Sequence, residues 1–186
     1  MSSMILYGCA TVVLALACAA PSKGGATVKT ERSSEMVLTS TAFSDGELIP
    51  KKYSLYGDNV SPDLTWEKSP DSVRSFALIC GDPDAPGGTF YHWVLFNIPD
   101  SVNSLPEGVG QHLPTVPSGG TQGTNSFRHL GYDGPKPPLG IHRYYFDLCA
   151  LDGMLALDGT TTAGRLMEAM KGHVLAKASL MGRYKK

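Results

Sequence analysis

Two segments of the chain carry residues of the types that could do chemistry. Residues 82–86 read DPDAP and are followed by His92, while residues 131–138 read GYDGPKPP and are followed by HRY at residues 142–144. Each segment is a loop rich in glycine or proline that adjoins the end of an apolar run. Loops at strand ends often carry function, and proline reduces the entropy that such a loop loses on ordering. The pattern therefore predicts functional side chains at strand termini.

The residue types in these segments favour a small-anion site. Two imidazoles and a phenol, from His92, His142 and Tyr144, can donate hydrogen bonds to a phosphate. A carboxylate would orient or protonate a histidine rather than touch the anion. His142 and Tyr144 are two residues apart, so both side chains lie on the same face of a strand. These four groups would suffice to hold a small oxyanion.

A metal-dependent hydrolase is the alternative reading, because an Asp-His-His cluster can also bind Zn or Fe. Metal-assisted hydrolysis needs a base, and no further Glu or His lies near either segment, so Asp84 is the one spare candidate. A serine hydrolase is disfavoured because the chain has no G-x-S-x-G motif. We therefore predict a binding protein rather than an enzyme, with no metal and no cofactor.

The overall composition indicates a turn-rich β protein. The chain has 186 residues, with 16 Lys+Arg against 17 Asp+Glu, so it lacks the basic field that nucleic-acid binding needs. Hydrophobic residues make up 42% and charged residues 18%, which is enough apolar material for a core. Gly 21 and Pro 13 argue against a helical bundle.

Apolar runs and period-two alternation predict strands at residues 36–41, 73–80, 92–98, 142–151 and 174–184. Leu64 and Trp66 recur at the same spacing of two. One helix is predicted at residues 160–171, ending at Gly172. Residues 103–141 show little periodicity, and a loop of that length is usually functional. These elements favour either a β-sandwich or a Greek-key-like α+β domain.

The first 35 residues differ in character from the rest. Residues 5–20 form an uncharged apolar run that is shorter than the roughly 20 residues of a membrane span. Residues 1–20 are thus predicted to be a signal peptide or lipoprotein leader with Cys18 as the lipidated residue, and residues 21–35 a flexible tether. Residues 36–186 would be the domain. We expect an exported protein, periplasmic or membrane-anchored; an uncleaved anchor and a cytoplasmic protein starting at Met36 are the alternatives.

Across residues 36–186 the chain resembles the phosphatidylethanolamine-binding protein family, also called the Raf kinase inhibitor protein family, in its small prokaryotic form. The matching motifs lie in the family's order and spacing. They are the stretch from FSDG at 43–46 to NVSP at 59–62, DPDAP at 82–86, HWVLFNIP at 92–99, GYDGPKPP with HRYYF at 131–146, and AMKGHVLAKASLMGRY at 169–184.

The resemblance implies a mainly β fold, a β-sandwich of two antiparallel sheets with one helix in the C-terminal region. It also implies an anion pocket at one end of the sandwich, and a cis bond at Pro83 or Pro86. The pocket residues carried over by motif are Asp82, Asp84, His92, Pro137, Pro138, His142 and Tyr144.

The partners implied by the family are a small anion, such as phosphate, or a phospholipid head group. A protein kinase or a protease is a further candidate partner, which the chain would inhibit or modulate, and a homodimer is a further candidate assembly. No nucleic-acid partner is expected, and a membrane would be reached only through the leader or a lipid anchor.

The remaining histidines and cysteines are expected to have no part in the pocket. His129 lies outside the motifs and is expected to be a surface loop residue, while His112 and His173 are expected to be structural. Arg143 points away from His142 on the strand, which favours a salt bridge. The cysteines of the domain lie at positions 80 and 149, too far apart for a disulfide if Asp82 and His142 share a pocket. They are expected to be buried free thiols.

Overall fold

The structure is a computed structural model that describes residues 35–67, 69–109 and 111–186. The predicted leader, which includes Cys18, and almost all of the predicted tether lie outside these residues. No helix within the described ranges is long and apolar enough to span a membrane.

The strands in this part of the chain form two antiparallel sheets, as the sequence predicts. The small sheet has the order β1-β2-β5, from β1 (Val37–Thr39), β2 (Leu64–Glu67) and β5 (Ser104–Leu105). The large sheet has the order β6-β4-β3-β7-β8, from β3 (Ser75–Asp82), β4 (Phe90–Pro99), β6 (Thr121–Gln122), β7 (Ile141–Leu151) and β8 (Val174–Lys185). Helix α1 spans Ala163–Ala169, and a 3-10 turn spans Lys51–Tyr53.

Strand β3 lies at the centre of the large sheet and is buried along its whole length. On one face, Phe76, Leu78 and Cys80 belong to the core between the two sheets. On the other face, Ala77 and Ile79 belong to a second apolar cluster that includes Leu166 and Met170 from the region of α1. Because both faces are covered, the strand is a nearly continuous apolar run.

The register of the large sheet brings the two loop segments to one edge. Asp82, at the end of β3, pairs with Phe90 at the start of β4. On the other side of β3, Gly81 pairs with Tyr145, which lies near the start of β7. The end of β3 and the beginnings of β4 and β7 therefore meet at the same edge, because both neighbours run antiparallel to β3.

The structure differs from the sequence expectation mainly in the short elements. Strands β5 and β6 have two residues each and fall inside the region that was expected to be a long loop. Two residues are too few for an alternation to be visible. Helix α1 is shorter than predicted because the hydroxyl and the N–H of Thr160 both bond to Asp158 Oδ1, which makes residues 158–161 a turn ahead of the N-cap Thr162.

The predicted cis proline is wrong. Every peptide bond among the described residues is trans, including those that precede Pro83 and Pro86. The loop reverses direction instead at Gly87 and Gly88, whose φ angles of 89° and 119° lie in the region that glycine adopts without strain. The prediction for the cysteines is confirmed, since Cys80 and Cys149 are both buried and free.

Replacing a buried leucine of the core by alanine should cost much more stability than the same change at an exposed leucine. Leu78 is fully buried and pairs with Leu95 and Leu148 on the neighbouring strands. Leu78→Ala should lower the free energy of unfolding by about 2–5 kcal/mol, because it leaves a cavity. Leu175→Ala, at a side chain that is 39% exposed, is the matched control and should cost less than about 1 kcal/mol. Urea unfolding measures both, and equal losses would contradict this account of the core.

Candidate functional site

Asp82 is a buried carboxylate at the end of β3 whose two oxygens are both engaged. Oδ1 accepts the backbone N–H of Asp84 at 2.9 Å, which forms the turn of the DPDAP loop. Oδ2 lies 2.7 Å from Nδ1 of His142 on β7. Both side chains are less than a tenth exposed, so the pair is shielded from water. The carboxylate therefore orients the His142 ring.

His92 is buried on β4 and is held by the backbone of Asp133. Its Nδ1 lies 2.7 Å from the Asp133 carbonyl oxygen, while the Asp133 N–H donates to the carbonyl of His92 at 3.0 Å. A carbonyl oxygen can only accept, so Nδ1 must carry the proton. Burial lowers the pKa of His92, and the Asp133 carbonyl and the Asp82 charge offset this only in part.

Tyr144 has a buried hydroxyl close to Asp82 and a ring in contact with His92. Its ring packs edge-on against that of His92, with the centroids 5.2 Å apart. The hydroxyl is sealed from solvent and makes no hydrogen bond of standard geometry with the described residues. Burial, followed by the nearby Asp82 carboxylate, raises the pKa of Tyr144 well above its usual range. The phenol therefore stays protonated, with its hydroxyl beside the Asp82 carboxylate.

Asp84 points away from this group and pairs with Arg143. Its Oδ2 accepts hydrogen bonds from the backbone N–H and Nε of Arg143, each at 2.9 Å, and its Oδ1 accepts from Nη2 at 2.6 Å. These contacts lower the pKa of Asp84 to about 2. The predicted salt bridge of Arg143 is thus present. Of the two predicted prolines, Pro137 is buried and Pro138 is exposed.

Asp133 is a central residue that the sequence interpretation did not select. It is 3% exposed, and its carboxylate accepts hydrogen bonds from Asn59 Nδ2 at 3.1 Å and Asn125 Nδ2 at 2.8 Å. Oδ2 also lies 2.9 Å from Nδ1 of His129. One buried carboxylate thus joins the segment of Asn59, ahead of β2, to the connection between β6 and β7 that carries Asn125 and His129. Its presence in the GYDG motif was the available signal, but no spacing rule identifies its partners.

Aromatic rings form the wall of the site beside His92. Phe90 and Phe127 lie 5.2 Å and 5.6 Å from His92 between ring centroids, and 4.7 Å from each other. His129 stacks on Phe127 at 6.4 Å. His129 is a half-exposed loop residue, as expected, but it also bonds to Asp133. The wall lowers the local polarity, which strengthens hydrogen bonds formed inside it.

The loop that carries Asp133 is anchored to the core by Tyr132. The Tyr132 ring packs edge-on against Trp93 at 5.6 Å, and its hydroxyl donates to the Tyr53 carbonyl at 2.7 Å. Position 134 must be glycine, because a Cβ atom there would collide with the carbonyl oxygen of Tyr53. These contacts therefore fix the position of Asp133 relative to β4.

The other two histidines lie outside this group. His173 pairs at the surface with Asp152, with 2.8 Å between Nδ1 and Oδ1, and the ring of His112 packs against that of His129. In the described part of the chain, no group of three or more His, Cys, Asp or Glu side chains is arranged to hold a metal ion. The metal-hydrolase alternative therefore lacks a ligand set among these residues. Its candidate base, Asp84, is paired with Arg143.

The fold and the site define a class of protein, a β-sandwich with an Asp-His-His-Tyr cluster at one sheet edge. The family profile described as phosphatidylethanolamine-binding protein matches residues 39–185. The chain belongs to this family, as its motifs predict.

Relatives of known sequence and structure agree with this assignment. A UPF0098 protein of Methanothermobacter thermautotrophicus is 46% identical over 151 residues, which is 81% of this chain and 99% of the relative. The crystal structure of a phosphatidylethanolamine-binding protein homolog from Chlamydia trachomatis matches with a TM-score of 0.76 and 42% identity, over 83% of this chain and 99% of that one. E. coli YbcL, a member of the same family, matches with a TM-score of 0.78 and 31% identity, over 82% and 99%.

The Asp133 network predicts a large cost for its removal. Asp133→Ala should lower the free energy of unfolding by at least about 2 kcal/mol, because buried donors of Asn59 and Asn125 lose their acceptor. Asp100→Ala, at an exposed turn position, is the control and should change stability by less than about 0.5 kcal/mol. Chemical denaturation measures both variants. If Asp133→Ala lowers the free energy of unfolding no more than the control does, the hydrogen bonds of Asp133 do not hold these segments together.

The Asp84–Arg143 pair predicts a small, pH-dependent contribution to stability. The pKa of Asp84 falls from 3.8 to about 2 on folding, so the contribution is present above pH 3.8 and disappears as the pH falls towards 2. The pair is partly exposed, so Asp84→Asn should cost less than about 1 kcal/mol. Urea unfolding at several pH values measures this cost, with Asp71→Asn as an exposed control. A cost that does not shrink in acid would contradict the assignment.

Proposed function

We propose that this chain is a binding protein whose pocket, where Asp82, His92, His142 and Tyr144 meet, takes a small oxyanion such as phosphate or a phosphoryl head group. The observation that carries the proposal is the buried hydroxyl of Tyr144, which makes no hydrogen bond of standard geometry with the described residues although the Asp82 carboxylate lies close to it. A buried donor without a well-placed acceptor costs about 1–3 kcal/mol. An oxygen atom of a bound anion would supply an acceptor of standard geometry.

The surroundings of the hydroxyl also support a small, polar ligand. Ligand sites are usually apolar clefts with a few convergent polar groups, and here the rings of Phe90 and Phe127 stand beside the imidazole of His92. Nδ1 of His142 is held by the Asp82 carboxylate, so the orientation of this ring is fixed. A phenol and an imidazolium together would offset the charge of an oxyanion.

Several expectations from the family resemblance stay predictions. Inhibition or modulation of a protein kinase or a protease, a homodimer, and export with lipidation of Cys18 belong to this group. They do not enter the argument for the pocket, which depends on the four side chains alone.

Titration with inorganic phosphate tests the pocket. We expect NMR shifts at His92 and His142. Affinity should fall as the pH rises from about 5.5 to about 8, because burial lowers the pKa of His92, so its ring gains a second proton only towards the acid end of this range, and a protonated imidazole attracts the anion. Tyr144→Phe should weaken binding by at least about tenfold, the value of one hydrogen bond to a charged group. Equal affinity at the two pH values, or no shift at either histidine, would contradict the proposal.

Tyr145→Phe is the matched control for the hydroxyl. Tyr145 is the next residue on β7 and its side chain points to the opposite face of the sheet. The same atom is removed from the same strand, so stability effects of a Tyr-to-Phe change are accounted for. Phosphate affinity should be within about twofold of that of the unaltered chain, because the lost hydroxyl lies outside the pocket.

A further inference from the structure

The face of the large sheet that packs against α1 ends in exposed side chains at the start of β7. Cys149 lies on this face, and residues two apart on a strand share a face, so Ile141 and Arg143 lie there too. Ile141 pairs with Lys185 on β8, and Arg143 pairs with Arg183. All four are exposed. This end of the sheet therefore presents one aliphatic and three cationic side chains.

A short segment beside β8 extends this surface. Leu48 forms a parallel bridge with Arg183, so the two side chains lie on the same face. Leu48 also lines a cavity of about 510 Å³ at the sheet edge together with Lys51, Lys185 and Lys186. The side chains in these two rows form what we call the basic-aliphatic surface, namely Leu48, Lys51, Ile141, Arg183, Lys185 and Lys186.

The aliphatic side chains here are well exposed. Leu48 is 49% exposed and Ile141 is 52% exposed. Leu139, two residues before Ile141 in the chain, is 84% exposed. Single apolar side chains at a protein surface are ordinary, but a group of them rimmed by polar residues marks an interaction site. The basic-aliphatic surface has this composition.

The cations of this surface are not neutralised by carboxylates. Among the described residues, the ion pairs include none formed by Lys51, Lys185 or Lys186. Arg183 donates through Nε to the carbonyl of Gly46 at 2.6 Å, and a carbonyl carries no net charge. Four positive side chains thus remain available to a negatively charged partner.

The nearby carboxylates leave this excess of positive charge in place. Asp84 is engaged by Arg143 alone, on the neighbouring strand. Glu47 precedes Leu48, and consecutive side chains of an extended segment point to opposite sides. Arg143 and Arg183 stand directly opposite each other, and like charges in that position destabilise a sheet. A negative partner would relieve this repulsion.

We propose that the basic-aliphatic surface docks the protein on an anionic lipid surface. The aliphatic side chains enter the boundary between head groups and acyl chains, while the lysines and Arg183 meet the lipid phosphates. A nucleic acid or an acidic polypeptide would match the charge but leave Leu48 and Ile141 in water. A second copy of the same surface would bring like charges together.

This inference goes beyond the proposed function and does not depend on it. None of the four side chains of the proposed pocket belongs to the basic-aliphatic surface. The contact is also different from the membrane attachment through a leader that the sequence predicts, because it is formed by residues of the folded domain.

Tryptophan fluorescence tests the contact in the full chain. Trp66 and Trp93 are 2% and 0% exposed, so a tryptophan introduced at the surface reports its own environment. Vesicles of phosphatidylglycerol with brominated acyl chains should quench Leu48→Trp. Leu175→Trp, at an exposed position near the other end of β8, is the matched control and should not be quenched. Both variants share residues 1–34, so any contribution of that segment to vesicle binding is common to them. Absence of quenching in Leu48→Trp, or equal quenching in both, would overturn the proposal.

A charge reversal assigns the contact to the cations. In the Leu48→Trp chain, Lys185→Glu should raise the lipid concentration for half-maximal quenching at least about tenfold, because it replaces attraction by repulsion at the vesicle surface. Lys177→Glu is the control on the same strand and the same face, and it should change this concentration by less than about twofold. Equal effects of the two reversals would contradict the assignment.

Two further titrations of Leu48→Trp separate the anionic lipid surface from other partners. Brominated phosphatidylcholine vesicles should need at least about tenfold more lipid than phosphatidylglycerol vesicles, and equal quenching by the two would overturn the requirement for negative charge. Polyglutamate supplies charge without an acyl region. A fluorescence change with polyglutamate and no quenching by phosphatidylglycerol would assign the surface to an acidic polypeptide and overturn the proposal.

Discussion

Two hydrogen bonds between His92 and Asp133 join the large sheet to the loop that completes the site. The ring of His92 donates to the Asp133 carbonyl, and the Asp133 amide donates to the His92 carbonyl. This reciprocal pair orients the imidazole and sets its tautomer. It also turns the Asp133 side chain away from the site, towards Asn59 and Asn125. The orientation of His92 and the position of the loop that carries Asp133 thus depend on these two hydrogen bonds.

Three carboxylates near the site differ in their burial and in their hydrogen-bond partners. Asp133 is buried and accepts from amide and imidazole donors, so its charge is solvated by the protein. Asp82 is also buried, but it holds His142 and borders the Tyr144 hydroxyl, so its charge acts on these two side chains. Asp84 is turned to the surface by Arg143. The DPDAP motif therefore supplies one carboxylate to the buried cluster and one to the surface.

Burial favours the neutral forms of two side chains in the cluster. Desolvation disfavours the charged form of both groups, which lowers the pKa of His92 and raises that of Tyr144. Because both groups are buried, hydrogen bonds rather than charge dominate their interactions with their surroundings.

The sequence by itself determined the β class, the two-sheet family fold, the long strands and the convergence of Asp82, His92, His142 and Tyr144 on one sheet edge. Periodicity and apolar runs act over many residues, so β3, β4, β7 and β8 leave a clear pattern. Only the tertiary structure decided the two-residue strands, the trans prolines, the outward turn of Asp84 and the role of Asp133. Each of these depends on a contact between distant segments, such as Asn59 with Asp133 or Asp84 with Arg143. A spacing rule describes one segment at a time. The direction of a loop side chain depends on which hydrogen-bond donor the tertiary structure places beside it, and that donor can come from a distant segment.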